Sequence, residues 1–201
     1  MSSSVQNFTD WAFHDRVVMS AMMIPYLQPR TREEHTDRFR NGRTPRLLDA
    51  CTRFVDPFLL RTSIERGWSL TVCDLEPSFP EVVHADLCGR LPWDDYTFSG
   101  VISTDTMEHV PDIKHALGEL FRVTTPGGLL ILGLPIGVRG GELSAATAPY
   151  AEPNQHHHRW HPGLDIADWA LDAGYQKVGE LRGQGDARLR VRYIGLFARP
   201  A

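Results

Sequence analysis

The sequence contains few cysteines and no long apolar run. Its three cysteines, Cys51, Cys73 and Cys88, are odd in number and form no CxxC pair. This pattern argues against a disulfide framework and favours a reducing, cytoplasmic setting. No apolar stretch approaches the roughly 20 residues of a membrane helix. The first residues also lack the charged and apolar regions of a secretory signal, so neither a membrane nor secretion is expected.

Clustered positive charge and phosphate-binding loops are also missing. The net charge is −4 and there is no basic run, which argues against nucleic acid as a main partner. Neither a P-loop nor a GxGxxG motif occurs, and residues 44–66 contain no glycine at all. The chain therefore lacks the residues from which a phosphate cradle is usually built.

The 201 residues suit one domain, and predicted strands alternate with predicted helices along most of it. This alternation predicts an α/β, Rossmann-like doubly wound sheet of seven mostly parallel strands, in which a final hairpin makes the last strand antiparallel. Residues 46–201 form the predicted domain, and residues 1–45 are predicted to form a helical cap on the core or a lid over a pocket. The predicted strands are 46–50, 69–73, 81–84, 98–104, 129–134, 175–181 and 189–198, and the predicted helices are 57–66, 112–123 and 164–173.

Acidic residues stand at the ends of successive predicted strands. Ligands in such sheets lie beyond the carboxyl ends of the strands. A carboxylate after strand two, here Asp74, commonly accepts hydrogen bonds from the ribose hydroxyls of a nucleoside. Asp86 follows the next strand and is placed to accept from an exocyclic amine such as that of adenine. The pattern predicts a pocket for an adenosine-like group without phosphates, although a single Asp at a strand end is often a turn former or helix cap.

Several longer stretches carry a family resemblance. Residues 86–87, 91–98 and 101–112, followed by 116–123 and 126–132, resemble the class I S-adenosylmethionine-dependent methyltransferases. Residues 154–161 and 173–175 are similar to a late segment of the same family. The resemblance implies methyl transfer from S-adenosylmethionine to a small-molecule acceptor, in a biosynthetic setting. It leaves open whether the chain works alone, as a homodimer or with a partner subunit.

The resemblance also assigns expected roles to individual residues near the cofactor. It implies that Asp74 holds the ribose, that Asp86 and Leu87 flank the adenine, and that Thr104 lies beside the methionine part. Asp49 is expected beneath the cofactor loop.

The cofactor loop departs from the family pattern. Where the family has three glycines, this chain has Cys51, Arg53 and Val55. The cysteines are expected to be buried apolar residues. Cys51, which is small, is expected to line the cofactor, and its position near a predicted helix N-terminus would stabilise a thiolate there. The departure supports a rival hypothesis, in which a methyltransferase-like protein has lost methyl transfer and acts as a binding subunit or as a His-dependent metalloenzyme.

Histidines cluster in the loop after predicted strand five. By the resemblance, His157 lines the acceptor pocket, where a neutral imidazole takes the acceptor's proton. A metal held by His156 and His158 with a distant histidine is the alternative. A solvated loop with one structural histidine is the remaining interpretation.

Overall fold

The computed structural model describes residues 44–52, 55–104, 106–137, 166–184 and 190–201. The predicted cap at residues 1–45 therefore lies outside the described residues, except for its last two positions. The strands are β1 (Arg46–Ala50), β2 (Ser69–Asp74), β3 (Val82–His84), β4 (Phe98–Thr104), β5 (Thr124–Gly137), β6 (Gln176–Gln184) and β7 (Arg190–Ala198). The helices are α1 (Pro57–Glu65), α2 (Ile113–Val123) and α3 (Ile166–Asp172), with a 3-10 turn at Met107–His109.

The strands form one sheet in the order β3-β2-β1-β4-β5-β7-β6. Neighbours from β3 to β5 pair in parallel, whereas β7 pairs antiparallel with both β5 and β6. The chain thus leaves β1 towards β2 on one side and later returns to place β4 on the other. This arrangement confirms the predicted doubly wound fold and puts its switch point between β1 and β4.

Alternate residues of a strand point to opposite faces of a sheet. In the central strands the side chains on both faces are buried, each set in its own apolar cluster. Every residue of β4 is buried. Leu48 and Val101 belong to the larger apolar cluster, which includes residues of α2 and α3. Leu47 and Ile102 belong to a smaller cluster with Leu59 of α1. Hydrophobic burial on two faces therefore fixes the sheet that carries the site.

Short-range signals set the helix ends close to their predicted positions. Asp56 Oδ1 accepts from the Leu59 backbone N–H at 2.8 Å, and Pro57 opens α1. Asp112 Oδ1 accepts from the His115 N–H at 3.0 Å, so Asp112 caps α2 and the helix proper starts one residue later. None of the helices in these described ranges is long and apolar enough to cross a bilayer.

Two strands differ from their predicted bounds because pairing partners extend them. β5 starts at Thr124, which pairs with Phe98, while Leu129 pairs with Gly100. The predicted turn at residues 126–128 is therefore a bulge within the strand, with Gly127 at φ +71°. β6 runs on to Gln184, so the prediction that Gly183 and Gln184 lie in a turn is wrong: both continue the main-chain ladder with β7.

Candidate functional site

Strand register brings the carboxyl ends of β1, β2, β3 and β4 to one edge of the sheet. Ala50 at the end of β1 pairs with Cys73 on one side and with Ser103 on the other. Asp74 pairs with His84, the last residue of β3. The predicted site residues of these four strands are thus brought to the crevice beside the switch point, where open α/β sheets bind ligands.

Asp74 is the last residue of β2 and is buried. Its Oδ1 accepts from the Glu76 backbone N–H at 2.8 Å, which fixes the orientation of the carboxylate through an Asx turn. Among the described residues, Oδ2 accepts no hydrogen bond. A carboxylate held in this way can accept from a pair of hydroxyls at the strand tips.

Asp86 and Leu87 follow β3 and differ in environment. Asp86 is exposed, and its Oδ1 accepts from the Cys88 N–H at 2.8 Å. The Leu87 side chain packs in the larger apolar cluster. Any contact of Leu87 with a ligand would therefore come from its main chain, while Asp86 offers a carboxylate.

The turn after β1 has a glycine-like backbone at a residue that is not glycine. Cys51 has φ +64°, in the left-handed region that costs a side-chain-bearing residue about 1–2 kcal/mol. The next residue, Thr52, donates its N–H to the Cys73 carbonyl at 3.0 Å and so ties the turn to β2. The turn thus keeps a glycine-like conformation at Cys51, whereas Arg53 lies outside the described residues.

Cys51 is held as a neutral thiol, which corrects the expected thiolate. Its pKa is raised far above the ordinary value, first by a hydrogen bond with the Cys73 side chain and then by burial. The negative charges of Asp74 and Asp49 act in the same direction. Helix α1 begins only at Pro57, so Cys51 is outside the first turn, where a helix would stabilise a thiolate.

We expect the thiol of Cys51 to resist alkylation and to lower stability at alkaline pH. Above pH 9.0, its ordinary pKa, the unfolded chain loses a proton that the folded chain keeps. The contribution of this thiol to the free energy of unfolding is therefore fully present below that pH. It falls as the pH rises, by up to about 1.4 kcal/mol per pH unit. Urea unfolding of wild type and Cys51→Ser between pH 8.5 and 9.5 measures the difference in slope.

Iodoacetamide labelling with peptide mapping gives the second measurement. Cys88 is exposed, although burial and the Asp86 charge raise its pKa, and it should be modified first in the folded protein. Rapid modification of Cys51 at neutral pH would contradict this description of the turn.

Asp49 and Thr104 belong to the same edge of the sheet, Asp49 one residue before the end of β1 and Thr104 at the end of β4. Asp49 is completely buried in β1, and Thr104 is the buried last residue of β4. The Thr106 hydroxyl donates to the Thr104 carbonyl at 2.9 Å and lies 3.4 Å from the Cys51 carbonyl oxygen. Thr106 therefore connects the segments that follow β1 and β4.

Three residues of this edge were missed by the sequence reasoning: Cys73, Thr106 and Ser103. Ser103 is buried, and its hydroxyl has no hydrogen-bond partner in the described part of the chain. The polar residues at the end of β4 and directly after it were the available signal for Ser103 and Thr106. Nothing in the sequence marks the contact between Cys73 and Cys51.

The predicted histidine positions cannot be placed in this site. His156, His157 and His158 lie outside the described residues. Among the residues that are described, no three His, Cys, Asp or Glu side chains are grouped to hold a metal ion.

Comparisons with known proteins agree with the geometry. Residues 61–132 match the methyltransferase domain family. No curated protein matches the chain in sequence. Many solved structures share the fold.

Three of these structures illustrate the shared fold. The [4+2]-cyclase SpnF is 14% identical with a TM-score of 0.64, and the alignment covers 84% of this chain and 80% of that one. Phosphoethanolamine N-methyltransferase 2 of Haemonchus contortus, in complex with S-adenosyl-L-methionine, is 14% identical with a TM-score of 0.60, covering 88% and 54%. A methyltransferase solved with the Haloferax volcanii Trm112 methyltransferase activator is 15% identical with a TM-score of 0.59, covering 96% and 98%.

At these identities the solved structures show a shared fold, and the family match adds sequence support across α1, β2, β3, β4 and α2. The two findings confirm the resemblance read from the sequence. They show a methyltransferase-type domain, with the family match covering residues 61–132.

Proposed function

We propose that the protein transfers the methyl group of S-adenosylmethionine to a small-molecule acceptor. The methyltransferase domain and the shared fold support methyl transfer in general. A small acceptor is supported by the net charge of −4 without a basic run, which disfavours nucleic acid. It is also supported by the Haemonchus contortus enzyme, whose name gives phosphoethanolamine as its acceptor.

One observation carries the proposal: the fixed carboxylate of Asp74 and the glycine-like turn at Cys51 belong to the adjacent ends of β2 and β1, beside the switch point. Asp74 Oδ2 is left to accept from ribose hydroxyls, and the left-handed backbone at Cys51 suits the approach of a cofactor. In this arrangement Asp86 would face the adenine amine, and Leu87 would contribute its main chain. These residues fit an adenosyl group without phosphates.

Two further residues belong to the proposed cofactor site. Thr104 would lie beside the methionine part, and Asp49 would support the turn from below. S-adenosylmethionine, when bound, supplies a methyl group activated by its sulfonium charge. The protein's contribution would be mostly to hold the acceptor in line with that methyl group.

We assign the acceptor's proton to His157, which would act as the general base. The support is the family resemblance of residues 154–161. Residues 1–45 would form the cap or lid over the acceptor side of the pocket.

A second function is favoured by the residues that replace glycine. Arg53 and Val55 occupy sequence positions where the family pattern has glycine, and SpnF demonstrates that this fold also occurs in a cyclase. The alternative is a methyltransferase-like protein without methyl transfer, acting as a binding subunit or with a metal at His156 and His158. The Haloferax volcanii complex supports a partner subunit as the arrangement, with a homodimer as the other arrangement.

The three free cysteines support a cytoplasmic location.

Calorimetry on the purified protein distinguishes the two functions. Micromolar binding of S-adenosylmethionine and S-adenosylhomocysteine is expected for a methyltransferase, together with methyl transfer to an acceptor in a small-molecule panel. His157→Gln should then lower kcat by about 100-fold or more while leaving cofactor affinity unchanged. No binding of either ligand, with one metal ion per chain by elemental analysis, would overturn methyl transfer in favour of the metalloenzyme.

A further inference from the structure

The segment that carries Asp86 has no regular secondary structure and lies along one side of α2. We call residues 86–95 the adenine-side segment. It is made of turns and bends between β3 and β4. The Gly89 N–H donates to the Asp86 carbonyl at 3.1 Å, and the Leu87 and Leu91 side chains are buried, so the rest of its path depends on its other contacts. Its conformation must be set by what it contacts, because irregular backbone is otherwise mobile.

Three side chains of α2 contact this segment in order along the helix. We call His115, Glu119 and Arg122 the α2 polar stripe. Their spacing of four and three residues puts them on one helix face. His115 Nε2 lies 3.1 Å from the Gly89 carbonyl oxygen, and Glu119 Oε2 accepts from the Leu91 N–H at 2.8 Å.

Arg122 makes the largest number of these contacts. Its Nη2 donates to the Leu91 carbonyl at 3.1 Å, and its Nη1 donates to the Trp93 carbonyl at 2.8 Å and to Asp95 Oδ1 at 2.9 Å. A planar guanidinium can serve several acceptors at fixed angles, which an ammonium cannot. Arg122 thereby holds the second half of the adenine-side segment against the helix.

Glu119 and Arg122 also fix each other. Arg122 Nε and Nη2 donate to the two Glu119 oxygens at 2.9 and 2.7 Å. The two side chains are only 12% and 15% exposed, so this pair is shielded far more than an ordinary surface ion pair. The guanidinium lowers the pKa of Glu119, which stays charged at neutral pH. Both side chains are therefore preorganised when the segment packs on them.

We infer that Glu119 and Arg122 are positioning residues that hold the adenine-side segment so that the Asp86 carboxylate meets the adenine amine. The inference rests on the proposed function and deepens it, because it assigns selectivity for the base to residues outside the pocket. Asp86 itself is anchored locally by the Cys88 N–H, and the segment that follows is anchored by α2. Loss of the α2 contacts should free the Asp86 end of the segment while β2, Asp74 and the turn at Cys51 stay in place.

The test compares two ligands that differ at the base. S-adenosylhomocysteine carries the exocyclic amine, whereas S-inosylhomocysteine carries a carbonyl oxygen at the same position. The dissociation constant of S-inosylhomocysteine divided by that of S-adenosylhomocysteine, both measured by calorimetry, reports the amine contact. Arg122→Ala should lower that ratio at least threefold towards unity, and Arg122→Lys should not restore it because the fork geometry is lost. Arg61→Ala is the matched control, since Arg61 forms an exposed pair with Glu65 on α1.

The wild-type protein tests the proposed function, and the variants test the positioning role. A wild-type protein that binds neither ligand overturns both. Unchanged affinity and ratio in Arg122→Ala overturn the positioning role alone. A uniform loss of affinity with the ratio intact does the same, because it indicates a general structural role. If Arg122→Ala does not fold, Glu119→Ala removes the acceptor of the Leu91 N–H instead: a lowered ratio in that variant supports the inference, and an unchanged ratio overturns it.

Discussion

Replacement of Asp74 by alanine is expected to weaken S-adenosylhomocysteine binding by about 1–3 kcal/mol, or roughly 5- to 150-fold. The carboxylate is buried at the end of β2, and one of its oxygens is committed to the Glu76 N–H. In the variant, the ribose hydroxyls of the cofactor would lose Asp74 Oδ2 as their hydrogen-bond acceptor. Isothermal titration calorimetry on the wild type and the variant measures the change.

One further variant separates charge from shape at this position, and a second serves as the control. Asp74→Asn keeps an oxygen for the Glu76 N–H, so it retains the Asx turn while removing the negative charge. We expect its affinity to lie between those of the wild type and Asp74→Ala. Asp172→Ala, at an exposed carboxylate of α3, is the control and should bind as the wild type does. Unchanged affinity in Asp74→Ala would remove Asp74 from the site.

Leu120→Ala is expected to lower the free energy of unfolding by about 2–5 kcal/mol. Leu120 is completely buried in the larger apolar cluster, on the face of α2 that packs against the sheet. Truncation removes apolar burial and leaves a cavity that the packed neighbours close only in part. Urea denaturation followed by circular dichroism measures the loss, and the midpoint of thermal unfolding should fall by about 2–4 °C for each kcal/mol.

An exposed leucine provides the control for that experiment. Leu60 on α1 is 40% exposed, so Leu60→Ala should change stability by no more than about 0.5 kcal/mol. A loss below about 1 kcal/mol for Leu120→Ala would contradict the packing of α2 described above. Since Glu119 and Arg122 share this helix, their variants must be assayed well below the thermal midpoint.

The sequence predicted the helices and most strands well because their signals are local. Asp56 and Asp112 are short polar caps, Pro57 suits a first turn, and Gly67 and Gly174 both adopt positive φ just after helices. Such signals act within a few residues, so they can be read without knowing the fold. The bulge in β5 and the length of β6 depend on partner strands far along the chain, and these were not predicted.

For the candidate site, the sequence predicted that Asp74 and Asp86 lie at one edge, because a parallel sheet brings successive strand ends together; their role in binding remains a proposal. The neutral thiol of Cys51 was not foreseen, since it depends on Cys73, 22 positions further along the chain and in the neighbouring strand. The contacts of the α2 polar stripe join residues 26 to 31 positions apart. Neither set has a periodicity that a sequence pattern reveals.

The sequence by itself determined the order of strands and helices, the caps that bound them and the acidic residues at the strand tips, because each depends on short-range chemistry. Only the tertiary structure decided the backbone of the turn at Cys51, the protonation of its thiol and the path of residues 86–95. Those features arise where β1, β2 and α2 bring residues that are distant in sequence into contact. Burial and long-range hydrogen bonds therefore decide how the strand tips are shaped for a ligand.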